Sequence, residues 1–117
     1  MIKNDHLDQQ GIVAIEGRNT TLKCICEKKE CKEENASTYW IFNGSNVNAS
    51  QKFKLSKEVL PYGAKMEMTI LDVSPTDQGI FYCGINTSKG FSEIPRRLHV
   101  ISSGEVFVTV HVMKLLM

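Results

Sequence analysis

The sequence predicts an all-β fold, an antiparallel sandwich or barrel, on three grounds. Apolar residues recur at every second position in short runs, turn-favouring residues separate the runs, and almost no stretch carries a helical period. Residues 12–15 open the series and stop at Glu16-Gly17. In 20–24, Leu22 and Cys24 share a face, with Thr21 and Lys23 on the other. Residues 38–42 place Trp40 in mid-strand between Tyr39 and Ile41. Phe53 and Leu55 alternate with lysine in 52–55, and Met66, Met68 and Ile70 alternate with Glu67 and Thr69 in 66–70. Residues 80–83 end on Cys83, and 106–112 set four valines at alternate positions, as expected of a closing strand. Between the runs lie turns such as Asn43-Gly44-Ser45, Pro61-Tyr62-Gly63 and Ser74-Pro75-Thr76-Asp77. Residues 27–37 are polar and read as a loop, and 86–104 read as a second long loop with a strand inside it at 96–101.

A chain of 117 residues has room for one domain, expected to span 1–117. Its 42% hydrophobic and 23% charged residues allow a buried core and do not resemble a disordered tail. Fourteen Lys and Arg against thirteen Asp and Glu leave a formal net charge of +1, without the basic footprint of a nucleic-acid binder. No apolar run reaches the ~18–20 residues needed to cross a bilayer, and the first residues lack a hydrophobic leader. The expectation is a piece separated from its leader, stalk and anchor.

The cysteines and asparagines set the compartment. Four cysteines (Cys24, Cys26, Cys31 and Cys83) suit a disulfide framework with three possible pairings. Asn19, Asn35, Asn43, Asn48 and Asn86 each begin an Asn-x-Ser/Thr sequon. Such crowding fits a glycosylated extracellular surface. The run from Cys24 to Cys31 admits a zinc site, an intermolecular bridge, or a local Cys26–Cys31 bridge stapling the loop. The local bridge is preferred, because extracellular cysteines oxidise.

Cys24 ends one run, Trp40 centres the next, and Cys83 follows 59 residues after Cys24. Before Cys83, the residues Met68, Ile70, Val73, Asp77, Gly79 and Phe81 keep a fixed spacing. Together these resemble the immunoglobulin superfamily, most closely its variable-type domains. The resemblance implies a two-sheet sandwich tied by Cys24–Cys83, with Trp40, Leu22, Met68, Ile70 and Phe81 in the core. It also implies an ion pair between Asp77 and Lys52. The tyrosine-corner position holds Phe81, so the usual buried hydroxyl bond is missing. Strand C′ should be short, around Val47, with C″ absent.

The run Cys24-x-Cys26-x-x-x-x-Cys31, followed by Tyr39-Trp40, is similar to the alpha and beta chains of the cytotoxic T-cell coreceptor of bony fish. Those are variable-like domains on a stalk that pair as dimers and bind class I histocompatibility proteins. The resemblance implies a cell-surface domain of a single-pass type I protein with ligand contacts on three loops. These are the B–C loop (Lys28, Lys29, Lys32), the C–C′ turn (Ser45, Asn46) and the F–G loop (Thr87, Ser88, Lys89). Alternation about Trp40 and Cys83 turns Tyr39, Ile41 and Tyr82 outward, as a candidate face for a homodimer or a related chain. Another immune receptor of the superfamily or a homophilic adhesion module would share this face. His6, His99 and His111 lack metal-ligand spacing, and no catalytic or phosphate-binding motif is present, so neither enzyme nor cofactor is expected.

Overall fold

The computed structural model describes residues 11–102. Eight strands follow in order: β1 (Ile12–Ile15), β2 (Thr20–Cys26), β3 (Ser37–Phe42), β4 (Ser45–Asn46), β5 (Phe53–Leu60), β6 (Gly63–Ile70), β7 (Gly79–Thr87) and β8 (Gly90–Ile101). They form a five-stranded sheet, β1-β8-β7-β3-β4, and a three-stranded sheet, β2-β6-β5. Neighbouring strands run antiparallel except β1 and β8, which are parallel. A single 3-10 turn, Lys29–Lys32, interrupts the loop between β2 and β3.

Alternation fixes which side of each strand is buried. In β6 the buried residues Ala64, Met66, Met68 and Ile70 alternate with half-buried Lys65, Glu67 and Thr69. In β2, Leu22, Cys24 and Cys26 are buried between exposed Lys23 and Ile25. Cys24 and Cys83 are bonded across the gap between the sheets, and Trp40, directly opposite Cys83 in the ladder, is 3% exposed. Leu98 and Val73 close the same core.

The ends of the sandwich are pinned by specific contacts. Phe42 and Gly79 meet where β7 begins. Gly79 has φ of +149°, and a Cβ there would stand 2.8 Å from the Phe42 ring. Phe42 in turn stacks on fully buried Phe81 with centroids 4.1 Å apart, so ring contact replaces the hydroxyl bond of a tyrosine corner. Asp77 is 6% exposed and is fully engaged: its Oδ2 accepts from Ser74 N at 2.9 Å and pairs with Lys52 Nζ at 2.8 Å. Lys52 Nζ also donates to Asp72 O, so the ammonium ties two loops.

One expectation is corrected and another is not reached. Residues 86–104 do not form a long loop. Residues 90–101 form β8, the longest of the described strands, joined to β7 by a two-residue turn at Ser88-Lys89 and paired with it from Gly90 to Leu98. The polar residues Ser92, Glu93 and Arg96 and the proline at 95 mask the period. Pro95 is tolerated because β1 pairs with β8 only from Leu98 to Ile101, leaving an open edge beside it. The closing strand expected at 106–112 lies outside the described residues.

The short C′ strand is β4, joined to β3 through Asn43 (φ 54°) and Gly44 (φ 77°), the left-handed pair of a tight hairpin. After Asn46 the described chain crosses to β5 with no strand between, so no C″ is present there. One consequence falls on β5. Leu55 and Val59 lie opposite core residues Met68 and Ala64, yet remain 37% and 57% exposed, because no described strand beyond β4 covers them. Between them Lys57 sits on the same side and donates from Nζ to Ala36 O at 3.1 Å.

Candidate binding surface

The outer face of the five-stranded sheet is a grid of cross-strand rows. The register places Ile41, Tyr82 and Pro95 in one row across β3, β7 and β8. Tyr39, Gly84 and Glu93 form the next row, and Ser37, Asn86 and Phe91 the row beyond it. Below the first row, Ile80 lies opposite Arg97. Tyr82 is 38% exposed, Ile80 37% and Phe91 69%, which makes this the richest exposed apolar area on the sheet.

The middle row is held rigid. The Tyr39 ring lies over Gly84, where any Cβ would collide with it. Its hydroxyl donates to Glu93 Oε2 at 2.8 Å, bridging β3 to β8 across β7. Burial, then the bond to Glu93, then the nearby carboxylate charge push the Tyr39 phenol from 10.0 up to about 12. Tyr39 is thus a strut beside the apolar row, while Ile41 and Tyr82 form the row itself.

A second feature lies at the end shared by the B–C loop and the β7–β8 turn. An open groove runs between the 3-10 turn and the hairpin tip, lined by Lys28, Glu30, Thr87 and Lys89 together with the buried Cys31 and Ile85. The Cys26–Cys31 bridge anchors the 3-10 turn, so all four sulfurs are committed to two disulfides and none is left for a metal. Glu33 joins the loops by accepting from both the N and the Oγ of Ser88, and Thr87 Oγ1 donates to Gly90 O within the turn.

The expected loop residues therefore divide. Lys28, Thr87 and Lys89 converge on the groove and Lys29 is exposed beside it. Lys32 is turned away, its Nζ donating to Pro61 O at 2.8 Å, and the Ser88 hydroxyl is occupied by Glu33. Ser45 and Asn46 do not join them. They pair with Phe42 and Ile41 at the far end of β3, about 17 Å along the strand from the B–C loop. Of the three loops, two meet at one end of the sandwich and the C–C′ turn lies at the other. All five sequon asparagines are exposed. Ile80, Phe91, Glu93 and Arg97 were missed as surface residues. The alternation that turns Tyr82 outward also turns Ile80 outward, whereas the others become visible only once residues 90–101 are recognised as a strand.

No family profile matches the chain, and no curated protein sequence matches it significantly. Solved structures do. The chain is similar to the complex of Dpr2 Ig1-Ig2 with DIP-Theta Ig1-Ig3, with TM-score 0.68 and 24% identity over 77% of this chain and 29% of that one. It is similar to the M1 domain from titin, with TM-score 0.65 and 19% identity over 75% of this chain and 84% of that one. The twitchin kinase region from C. elegans matches with TM-score 0.65 and 20% identity, over 78% of this chain and 15% of that one. The chain thus spans less than a third of the first of these and about a seventh of the twitchin region. The likeness establishes the fold: an immunoglobulin-like domain, all-β, with two sheets linked by Cys24–Cys83.

Proposed function

We propose that this domain is the extracellular recognition module of an immune-type cell-surface receptor, and that it binds a protein partner through the outer face of its five-stranded sheet. The observation that carries this reading is the row Ile41–Tyr82–Pro95 with Ile80 beside it, an apolar strip rimmed by Glu93 and Arg97. Aromatic and aliphatic residues enclosed by a polar rim are the anatomy of a protein interface. Two disulfides and five exposed sequons favour the outside of a cell. The similar Dpr2 structure, itself a complex between immunoglobulin domains, supports a partner of the same architecture. The simplest arrangement is a twofold dimer, with a second copy or a related chain.

The coreceptor resemblance adds a finer reading, in which a class I histocompatibility protein meets the Lys28, Lys29 and Lys89 end and the protein is anchored as a single-pass type I chain. Cations around a groove suit an acidic loop and speed its encounter.

Sedimentation of the secreted domain tests the face. A dimer at high micromolar concentration that Tyr82→Glu converts to monomer is the expected result. A wild-type monomer under the same conditions overturns self-association. Binding to a class I protein lost on Lys28→Glu with Lys89→Glu supports the coreceptor, whereas bead aggregation without class I binding supports adhesion.

A further inference from the structure

Phe91 is the most exposed large hydrophobic side chain among the described residues, at 69%, so most of its ring is left uncovered by them. Its neighbour in the ladder is informative. Phe91 pairs directly with Asn86 across the β7–β8 hairpin, so their Cβ atoms stand about 5 Å apart on the same outer face. Asn86 is exposed and begins the sequon Asn86-Thr87-Ser88. The hairpin thus presents an acceptor amide beside an uncovered aromatic ring.

We propose that Asn86 carries an N-linked glycan whose first N-acetylglucosamine packs on the Phe91 ring. The proposal rests on the extracellular reading above. In the secretory compartment the Asn86 side-chain nitrogen would form a bond to C1 of the sugar of a lipid diphosphate-linked oligosaccharide. The sugar–phosphate bond breaks, the lipid diphosphate leaves, and the amide gives up one proton. A pyranose has an apolar face of C–H groups, which lie favourably against the electron-rich face of an aromatic ring. This contact removes apolar surface of Phe91 from water, as a protein partner would. The Tyr39–Gly84–Glu93 row separates Phe91 from Ile41, Tyr82 and Pro95, so the sugar bounds the protein-binding strip at its upper end and leaves the strip open. Of the sequon asparagines, Asn86 alone lies within a strand, where its partner across the ladder is fixed.

The test uses the domain secreted from animal cells, with glycans trimmed to single N-acetylglucosamine stubs. Glycopeptide mass spectrometry should find Asn86 occupied. In a thermal-unfolding cycle of wild type, Asn86→Gln, Phe91→Ala and the double variant, removing the sugar should lower the midpoint by about 4 °C when Phe91 is present, and by much less when it is absent. The N-acetyl methyl resonance of the Asn86 stub should also move upfield, and return on Phe91→Ala. An unoccupied Asn86 with other sequons occupied overturns this proposal alone, whereas no occupied sequon overturns the extracellular reading with it. Additive midpoints with an unshifted methyl overturn the packing. Phe91→Ala that weakens self-association without changing the cycle assigns the ring to the protein interface and likewise overturns it.

Discussion

Tyr39 reaches over Gly84 to Glu93, and three residues on three strands act as one unit. The phenol is favoured in its protonated form because burial and the neighbouring carboxylate both disfavour a phenolate. Folded, it ionises near 12; unfolded, near 10.0. Its contribution to stability is therefore complete below pH 10.0 and is lost as pH rises towards 12. Spectrophotometric titration of the three tyrosines should show one phenol near 12, removed by Tyr39→Phe and lowered by Glu93→Gln. Three phenols titrating together near 10.0 would mean the strut does not persist in solution. At this scale much was legible. Once Trp40 points inward, Tyr39 and Ile41 must point outward, and the ion pair of Asp77 with Lys52 that the family resemblance implied is present at 2.8 Å. Ring packing over Gly84 was not legible, because it depends on which residue stands opposite Tyr39 in the ladder.

Among the elements, β5 carries the main liability of the fold. Among the described residues it is an edge strand of eight residues whose core-side Leu55 and Val59 stay partly exposed. Lys57, directed to the same side, interrupts them with a charge, a device that discourages edge-to-edge association. Lys57→Val should leave the folded domain intact but raise light scattering at high concentration and shift sedimentation to larger species. Unchanged scattering would show that the edge is protected by other means. The extent of β5 escaped sequence reading because Ser56, Lys57 and Glu58 interrupt its alternation. The first half of β8 escaped for a related reason: Ser92, Glu93, Pro95 and Arg96 hide its period, so that only 96–101 read as a strand. The separation of Ser45 and Asn46 from the B–C loop, by contrast, was available from connectivity, since turns before and after one strand lie at its opposite ends.

For the molecule as a whole, the two disulfides differ in what they restrain. Cys24–Cys83 closes a loop of 59 residues and Cys26–Cys31 one of five. In the chain-entropy description these contribute about 4 and about 2 kcal/mol. Urea unfolding should therefore show the Cys24→Ala, Cys83→Ala variant losing roughly twice as much as Cys26→Ala, Cys31→Ala. A reversed order would place the smaller bridge among the principal supports of the fold. The sandwich itself was legible because one constellation, Cys24, Trp40 and Cys83, constrains both layers at once. The candidate surface was legible only in part, because the pairing of Asn86 with Phe91 beside it depends on a hairpin register that no single run of residues records.

The parallel contact between β1 and β8 has a mechanical consequence. Ile12–Ile15 and Leu98–Ile101 run side by side in the same direction, so tension drawn backwards from Ile12 and forwards from Ile101 pulls along the shared axis of the pair. Such a load falls on all the joining bonds at once instead of opening them one by one. A tethered domain of this build resists extension in shear at the seam where its first and last described strands meet.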